Sequence, residues 1–203
     1  MFHAILVVVL AFSTSASRSH DRNTPATYRA SYQLEAKGDF DGALAKLTAL
    51  SAAGDNSYFL LARLAWLRYQ AGDFAGAENG YRSAIAAKPK ALEPKVGLTL
   101  ALFALGNWRA LDAACRDALT SLPADPGLRA RLASAQYNLG RFPDAAVLYR
   151  KLIDDYPAML DYQTGYGWAL QRMGKRKEAE AIFRAVLAVS PDNVNAQQGL
   201  TAP

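Results

Sequence analysis

Gly38, Gly72, Gly106, Gly140 and Gly174 stand 34 residues apart, and Pro89, Pro123, Pro157 and Pro191 keep the same interval. Two unrelated punctuators sharing one period divide the chain into units 24–57, 58–91, 92–125, 126–159 and 160–193. A chain of such units has no single central core; each unit buries its apolar face on its neighbours. In the second unit Leu61, Leu64, Ala65 and Arg68 recur at helical spacing before Gly72, and Ala77, Tyr81 and Ala84 do so before Pro89. Each unit therefore reads as helix, Gly turn, helix, Pro stop. Glycine enters the left-handed turn without a Cβ penalty, and proline keeps the second helix from running on. The first unit has no terminal Pro, and the stretch from Ser51 to Asn56 breaks its second helix instead.

Small residues recur where paired helices must approach closely. Ser31, Ala65, Thr99, Ala133 and Gly167 share one place in the first helix; Ala43, Ala77, Ala145 and Ala179 share one in the second, with Leu111 the exception. Four residues further on, Leu47, Tyr81, Cys115, Tyr149 and Phe183 supply a core position, which makes the single cysteine a small apolar filler. Phe40, Phe74, Trp108 and Phe142 follow the turn glycine by two residues, and Arg176 breaks that series.

This pattern resembles the tetratricopeptide repeat family over residues 24–193. The period, turn Gly, small residue, large apolar residue and terminal Pro match. The family's early Trp is absent from all five units, and its Leu-Gly pair is nearest at Tyr166-Gly167. The resemblance implies an all-α fold, a right-handed α-α superhelix of five helix-turn-helix repeats whose first helices line a concave groove that holds a protein or peptide segment. Residues 194–203 read as a short cap, helical from Val194 to Leu200, and a frayed end.

The N-terminus differs in kind. An apolar run from Ala4 to Phe12 precedes small residues, with cleavage points behind Ala16 or Ser17. The run is too short for a membrane span, which needs about 20 residues, and it fits a secretory signal over 1–17 with a linker over 18–23. Export to the periplasm or exterior is the expectation; a retained apolar terminus on a cytoplasmic protein is the alternative. No Cys near the cleavage region offers a lipoprotein anchor.

By register, the second, fifth, ninth and twelfth residues of each unit face the groove. The projection is rich in rings: Tyr28, Tyr32, Phe59, Trp66, Tyr69, Phe103, Tyr137 and Trp168, interspersed with polar residues such as Ser134, Asp161 and Thr164. Aromatic rings anchor partners at low entropy cost, so these eight are candidate partner-binding residues. The competing reading has Trp66 and Trp168 folding over neighbouring helices to finish the wall; a third has another copy or the N-terminal segment filling the groove. The family's dicarboxylate clamp needs Lys and Asn where this chain has Tyr28, Tyr32, Arg63, Glu93 and Gly97, so chaperone-tail binding is not expected.

The chain carries 23 Lys and Arg against 18 Asp and Glu, a net charge of +5. Arg172, Lys175, Arg176, Lys177 and Arg184 gather around the last turn. They read either as a contact for an anionic surface, such as a peripheral membrane contact, or as the solvated cap of a terminal repeat. No aromatics interleave there, so nucleic acid is not an expected partner. Both histidines, His3 and His20, precede the repeats, and the one Cys admits no thiolate zinc site. No catalytic residue, metal site or cofactor is assigned. The function expected is that of a non-enzymatic adaptor or scaffold. The alternatives are a self-assembling structural component or soluble subunit of an envelope complex, which includes a homo-oligomer, and a basic docking module.

Overall fold

The computed structural model describes the backbone of residues 15–201 and the side chains of 24–201. All regular structure among these residues is helical. The first compact unit ends at Asn56 and contains α1 (Ser15–Glu35) and α2 (Phe40–Ala52). The second starts at Ser57 and contains α3 (Tyr58–Gln70), α4 (Phe74–Ala87), α5 (Glu93–Ala104), α6 (Trp108–Ser121), α7 (Pro126–Asn138), α8 (Phe142–Asp155), α9 (Leu160–Arg172), α10 (Arg176–Val189) and α11 (Val194–Thr201). The chain is an all-α helical repeat solenoid.

Each boundary has a local cause. The five periodic glycines take φ between 65° and 84°, the left-handed turn that ends each first helix. Three second helices are capped at the residue after that glycine: the amides of Gly42, Gly76 and Ala110 donate to Asp39, Asp73 and Asn107. The fourth and fifth have Arg141 and Lys175 there and no side-chain cap. In the first unit Gly54, at φ 94°, does the breaking that proline does elsewhere.

α1 runs through residues 18–23, which are helical rather than the linker read from the sequence. The secretory-signal reading falls on 1–17, of which 1–14 lie outside the described residues, as do 202–203 of the C-terminal cap.

In the second unit each second helix packs on its partner and on the first helix that follows, while α3, α5, α7, α9 and α11 also touch one another in sequence. The second helices α4, α6, α8 and α10 share no comparable contact. The first helices thus form the inner, closely spaced layer, and the groove register falls on it. The core is a chain of clusters. One joins Ala65, Tyr81, Leu102, Cys115 and Leu132, the next Ala133, Tyr149 and Leu152, and the last Leu170, Phe183, Val186 and Ala196. Ala43 and Leu47 are fully buried in the first unit.

The core position also carries a size rule. Where the second helix presents Tyr81, Tyr149 or Phe183, the following first helix presents Gly97, Gly165 or Gly199, and a β-carbon there would lie 2.4–2.6 Å from the ring. Cys115 is followed at the same place by Arg131, whose charge acts on the thiol. A large ring meets no side chain, and a small one meets a long side chain.

Candidate partner-binding site

The inner layer of the second unit holds two clefts. One, about 640 Å³, lies between α3 and α5. Ala62, Trp66, Val96, Leu100 and Leu122 make it apolar, with the buried Tyr81 ring at its base, packed against Gly97. Its one ionised group is Glu93, whose carboxylate accepts a short hydrogen bond from the Tyr58 hydroxyl. That bond holds Glu93 below the usual carboxylate range, while burial, then Glu93, pushes the Tyr58 phenol up to about 12.

The other cleft, about 590 Å³, is bounded by α5, α7, α9 and α11. Phe103, Trp108, Tyr137 and Trp168 form its walls, with Ser134, Asn138, Tyr149, Asp161, Thr164, Asn195 and Gln198 between them. Several of these polar groups are already committed. The Ser134 and Tyr149 hydroxyls are 3.0 Å apart, the Asn138 amide donates to the Ser134 carbonyl, and the Thr164 hydroxyl donates to the Asp161 carbonyl. Burial raises the Tyr149 phenol above its ordinary value, so it stays a neutral donor and acceptor.

The eight projected aromatics are distributed rather than gathered. Phe103, Tyr137 and Trp168 meet in the α5–α11 cleft and Trp66 lines the α3–α5 cleft. Tyr69 lies between Trp66 and Phe74, with ring centroids 6.2 and 5.5 Å away. Phe59, 53% exposed, lies outside both clefts. Tyr28 and Tyr32 belong to the first unit, Tyr28 half-buried and Tyr32 exposed.

A recurring contact explains part of the ring count. The twelfth residue packs on the ring five residues later, across the turn glycine: Tyr69 on Phe74, Phe103 on Trp108 and Tyr137 on Phe142, with centroids 5.4–5.7 Å apart. Trp168 stands edge-on to Phe183 at 5.6 Å. Phe103, Trp108, Tyr137 and Trp168 therefore serve the packing and the cleft surface together; Phe103 keeps 43% of its surface exposed.

Besides Gly165, five residues lining the α5–α11 cleft were not reached from the sequence. Trp108 and Tyr149 come from second helices and enter the cleft around the turn and beneath Gly165. Asn138 is one residue past the projected register. Asn195 and Gln198 sit at the second and fifth places of a sixth first helix, so carrying the 34-residue frame past 193 would have found them.

The basic cluster lies on the surface, and part of it is engaged within the chain. The Arg172 guanidinium stacks 4.5 Å from the Phe142 centroid and 6.0 Å from that of Tyr137. Lys175 pairs with Glu178 at 3.4 Å and Arg184 with Glu180 at 3.3 Å. Arg176 and Lys177 are exposed. Cys115 is fully buried, and burial pushes its thiol up to about 12, which disqualifies it as a nucleophile. Among the described residues no group of three or more His, Cys, Asp or Glu side chains is placed to hold a metal, and no helix is long and apolar enough to cross a membrane.

Known proteins agree with this architecture. The chain is similar to MamA from Desulfovibrio magneticus, with a TM-score of 0.78 at 16% identity over 85% of this chain and 97% of that one. It is similar to YrrB, described as a TPR protein with an unusual peptide-binding site, with a TM-score of 0.77 at 13% identity over 92% of this chain and 98% of that one. At these identities the likeness shows the fold alone. A Caenorhabditis elegans protein O-mannosyl-transferase is 31% identical over 83 residues, 41% of this chain but 12% of that protein, so the chain matches only a small part of its length. The tetratricopeptide repeat profile matches residues 15–198, and the chain belongs to the tetratricopeptide repeat family.

Proposed function

We propose that this protein is a non-enzymatic adaptor that holds an extended segment of a partner protein on its first-helix face, chiefly in the α5–α11 cleft. The fold is one that serves protein–protein interaction, and the observation that carries the finer reading is the lining of that cleft. Four rings supply area that orders little on binding. The Asn195 and Gln198 carboxamides stand exposed at its edge, with donors and acceptors for a peptide backbone. The α3–α5 cleft adds an apolar pocket on the same layer. Export, read from the N-terminal residues, belongs to the same proposal and would place the partner in the cell envelope or outside it. The glycosyl-transfer activity of the C. elegans protein is not carried over.

The test is a crosslinked pull-down with the full chain from the native envelope fraction, comparing wild type with Phe103→Ala and Trp168→Ala. Phe103 is the more exposed, and circular dichroism identifies a variant that has lost helicity. One protein recovered by wild type and lost by a folded variant supports the reading. The same material recovered by all three, or copies of the bait alone, overturns it.

A further inference from the structure

The two clefts differ in one respect that bears on what each accepts. Each has a single ionised lining residue at the second place of a first helix, Glu93 in one and Asp161 in the other. The Glu93 carboxylate is taken up by the Tyr58 hydroxyl, with Lys88 nearby. The Asp161 carboxylate makes no ion pair among the described residues; only its main-chain carbonyl is engaged, by Thr164. No Lys or Arg lines its cleft, although the chain as a whole is at +5. Two cations of α7 and α9 are engaged within the chain: the Arg172 guanidinium lies over the Phe142 ring and 6.0 Å from the Tyr137 centroid, and the Arg131 guanidinium lies beside Gly127.

From this we infer that the α5–α11 cleft anchors a positively charged side chain, Lys or Arg, of the bound segment. The proposal rests on the reading that this face binds peptides. The cationic head pairs with the Asp161 carboxylate, and the aliphatic stem lies along Trp168 and Trp108. Ring faces attract a cation through their quadrupole, and more strongly where water is thinned. The chain makes such a contact once already, the Arg172 guanidinium lying 4.5 Å from the Phe142 centroid and 6.0 Å from that of the cleft residue Tyr137. Asp161 also acts electrostatically on the Tyr149 hydroxyl at the cleft's base, which places its charge inside the cleft's field. Asn195 and Gln198 hold the flanking main chain.

The experiment uses the full chain and four mixtures of acetylated, amidated pentapeptides, randomised except at a central Arg, Lys, norleucine or Glu. Binding is read by tryptophan fluorescence at near-physiological salt. The Arg and Lys mixtures bind about tenfold more tightly than the norleucine mixture. Asp161→Asn lowers that ratio several-fold, leaving only the ring contribution, whereas Phe103→Ala weakens all mixtures alike. The protein's net positive charge works against this preference, so non-specific attraction would favour Glu. If Glu binds best, or if Asp161→Asn keeps the full cation preference, the anchor is wrong and the peptide-binding reading stands. If wild type binds none of the four, both fall.

Discussion

Replacing Gly97 with alanine tests the size rule of the core. Helix propensity alone says the change stabilises by about 1 kcal/mol, because Gly97 lies inside α5 with an ordinary helical backbone. Packing says the opposite. The new β-carbon would lie 2.4 Å from Cε1 and Cζ of Tyr81 and 2.9 Å from its hydroxyl oxygen. Carbon atoms rest about 3.5–4.0 Å apart, so a ring that is only 4% exposed must retreat by more than about 1 Å. The ring belongs to one buried cluster with Ala77, Leu98 and Ala101. Overpacking of this kind costs about 1–3 kcal/mol, and the net expectation is a loss of about 1–2 kcal/mol. Tyr81→Leu alone is also destabilising, through the cavity it opens. Together the two changes relieve each other, since the smaller side chain makes room for the methyl, and the double-mutant cycle shows a coupling of about 1 kcal/mol or more. Urea unfolding followed by far-UV circular dichroism measures all four proteins. Repeat arrays can lose all-or-none behaviour, so the slopes are compared before the midpoints. A Gly97→Ala protein as stable as wild type, or strictly additive single changes, would refute the reasoning.

Three further outcomes are expected. Burial pushes Tyr81 and Cys115 up to about 12, so in the pH range above about 9–10 the unfolded chain gives up these protons first. Their contribution is therefore complete below that range and is lost as pH rises towards 12, by about 2–3 kcal/mol for Tyr81. Urea midpoints taken across this range fall, and Tyr81→Phe removes the tyrosine's share of the slope. Asp73→Ala removes the α4 cap and costs about 1 kcal/mol in thermal or urea unfolding. Lys175→Asp gives α10 the cap it lacks, with Glu178 three residues on in capping-box position, and raises stability by about 0.5–1.5 kcal/mol; a fall would show that the Lys175–Glu178 pair outweighs a cap.

How legible each part was from the sequence depends on how its constraint is written. A left-handed turn demands the same residue type in every unit, so Gly38 through Gly174 announce themselves by identity. The same holds for Ala43, Ala77, Ala145 and Ala179, where helices meet closely, although the third repeat buries Leu111 at this place. The pairing of Tyr81 with Gly97, or Cys115 with Arg131, is a sum of two volumes. No single residue type repeats, and the partners belong to different units, so periodicity does not show it. The groove register was readable for Phe103, Ser134, Tyr137, Asp161 and Trp168 because first helices keep one face inward. It missed Trp108 and Tyr149, which reach the cleft from the other layer. Arg172 shows a further limit: its charge placed it in a basic cluster, while its length lets it reach rings one unit back.

The ring contacts across the turns bear on the order in which the chain folds. Tyr69–Phe74, Phe103–Trp108 and Tyr137–Phe142 each join residues five apart, so they close for almost no loop entropy and can form within a helical hairpin before any neighbour docks. The first and fifth repeats have Glu35 with Phe40 and Gln171 with Arg176 at these places, so no pair of rings stands there. These local contacts favour early formation of the three middle hairpins. Native-state hydrogen exchange would find the slowest amides in α5 to α8, beneath one wall of the candidate site, and the fastest in α11, which forms the opposite rim. That rim carries Asn195 and Gln198, so its exchange reports on the carboxamide side of the candidate site.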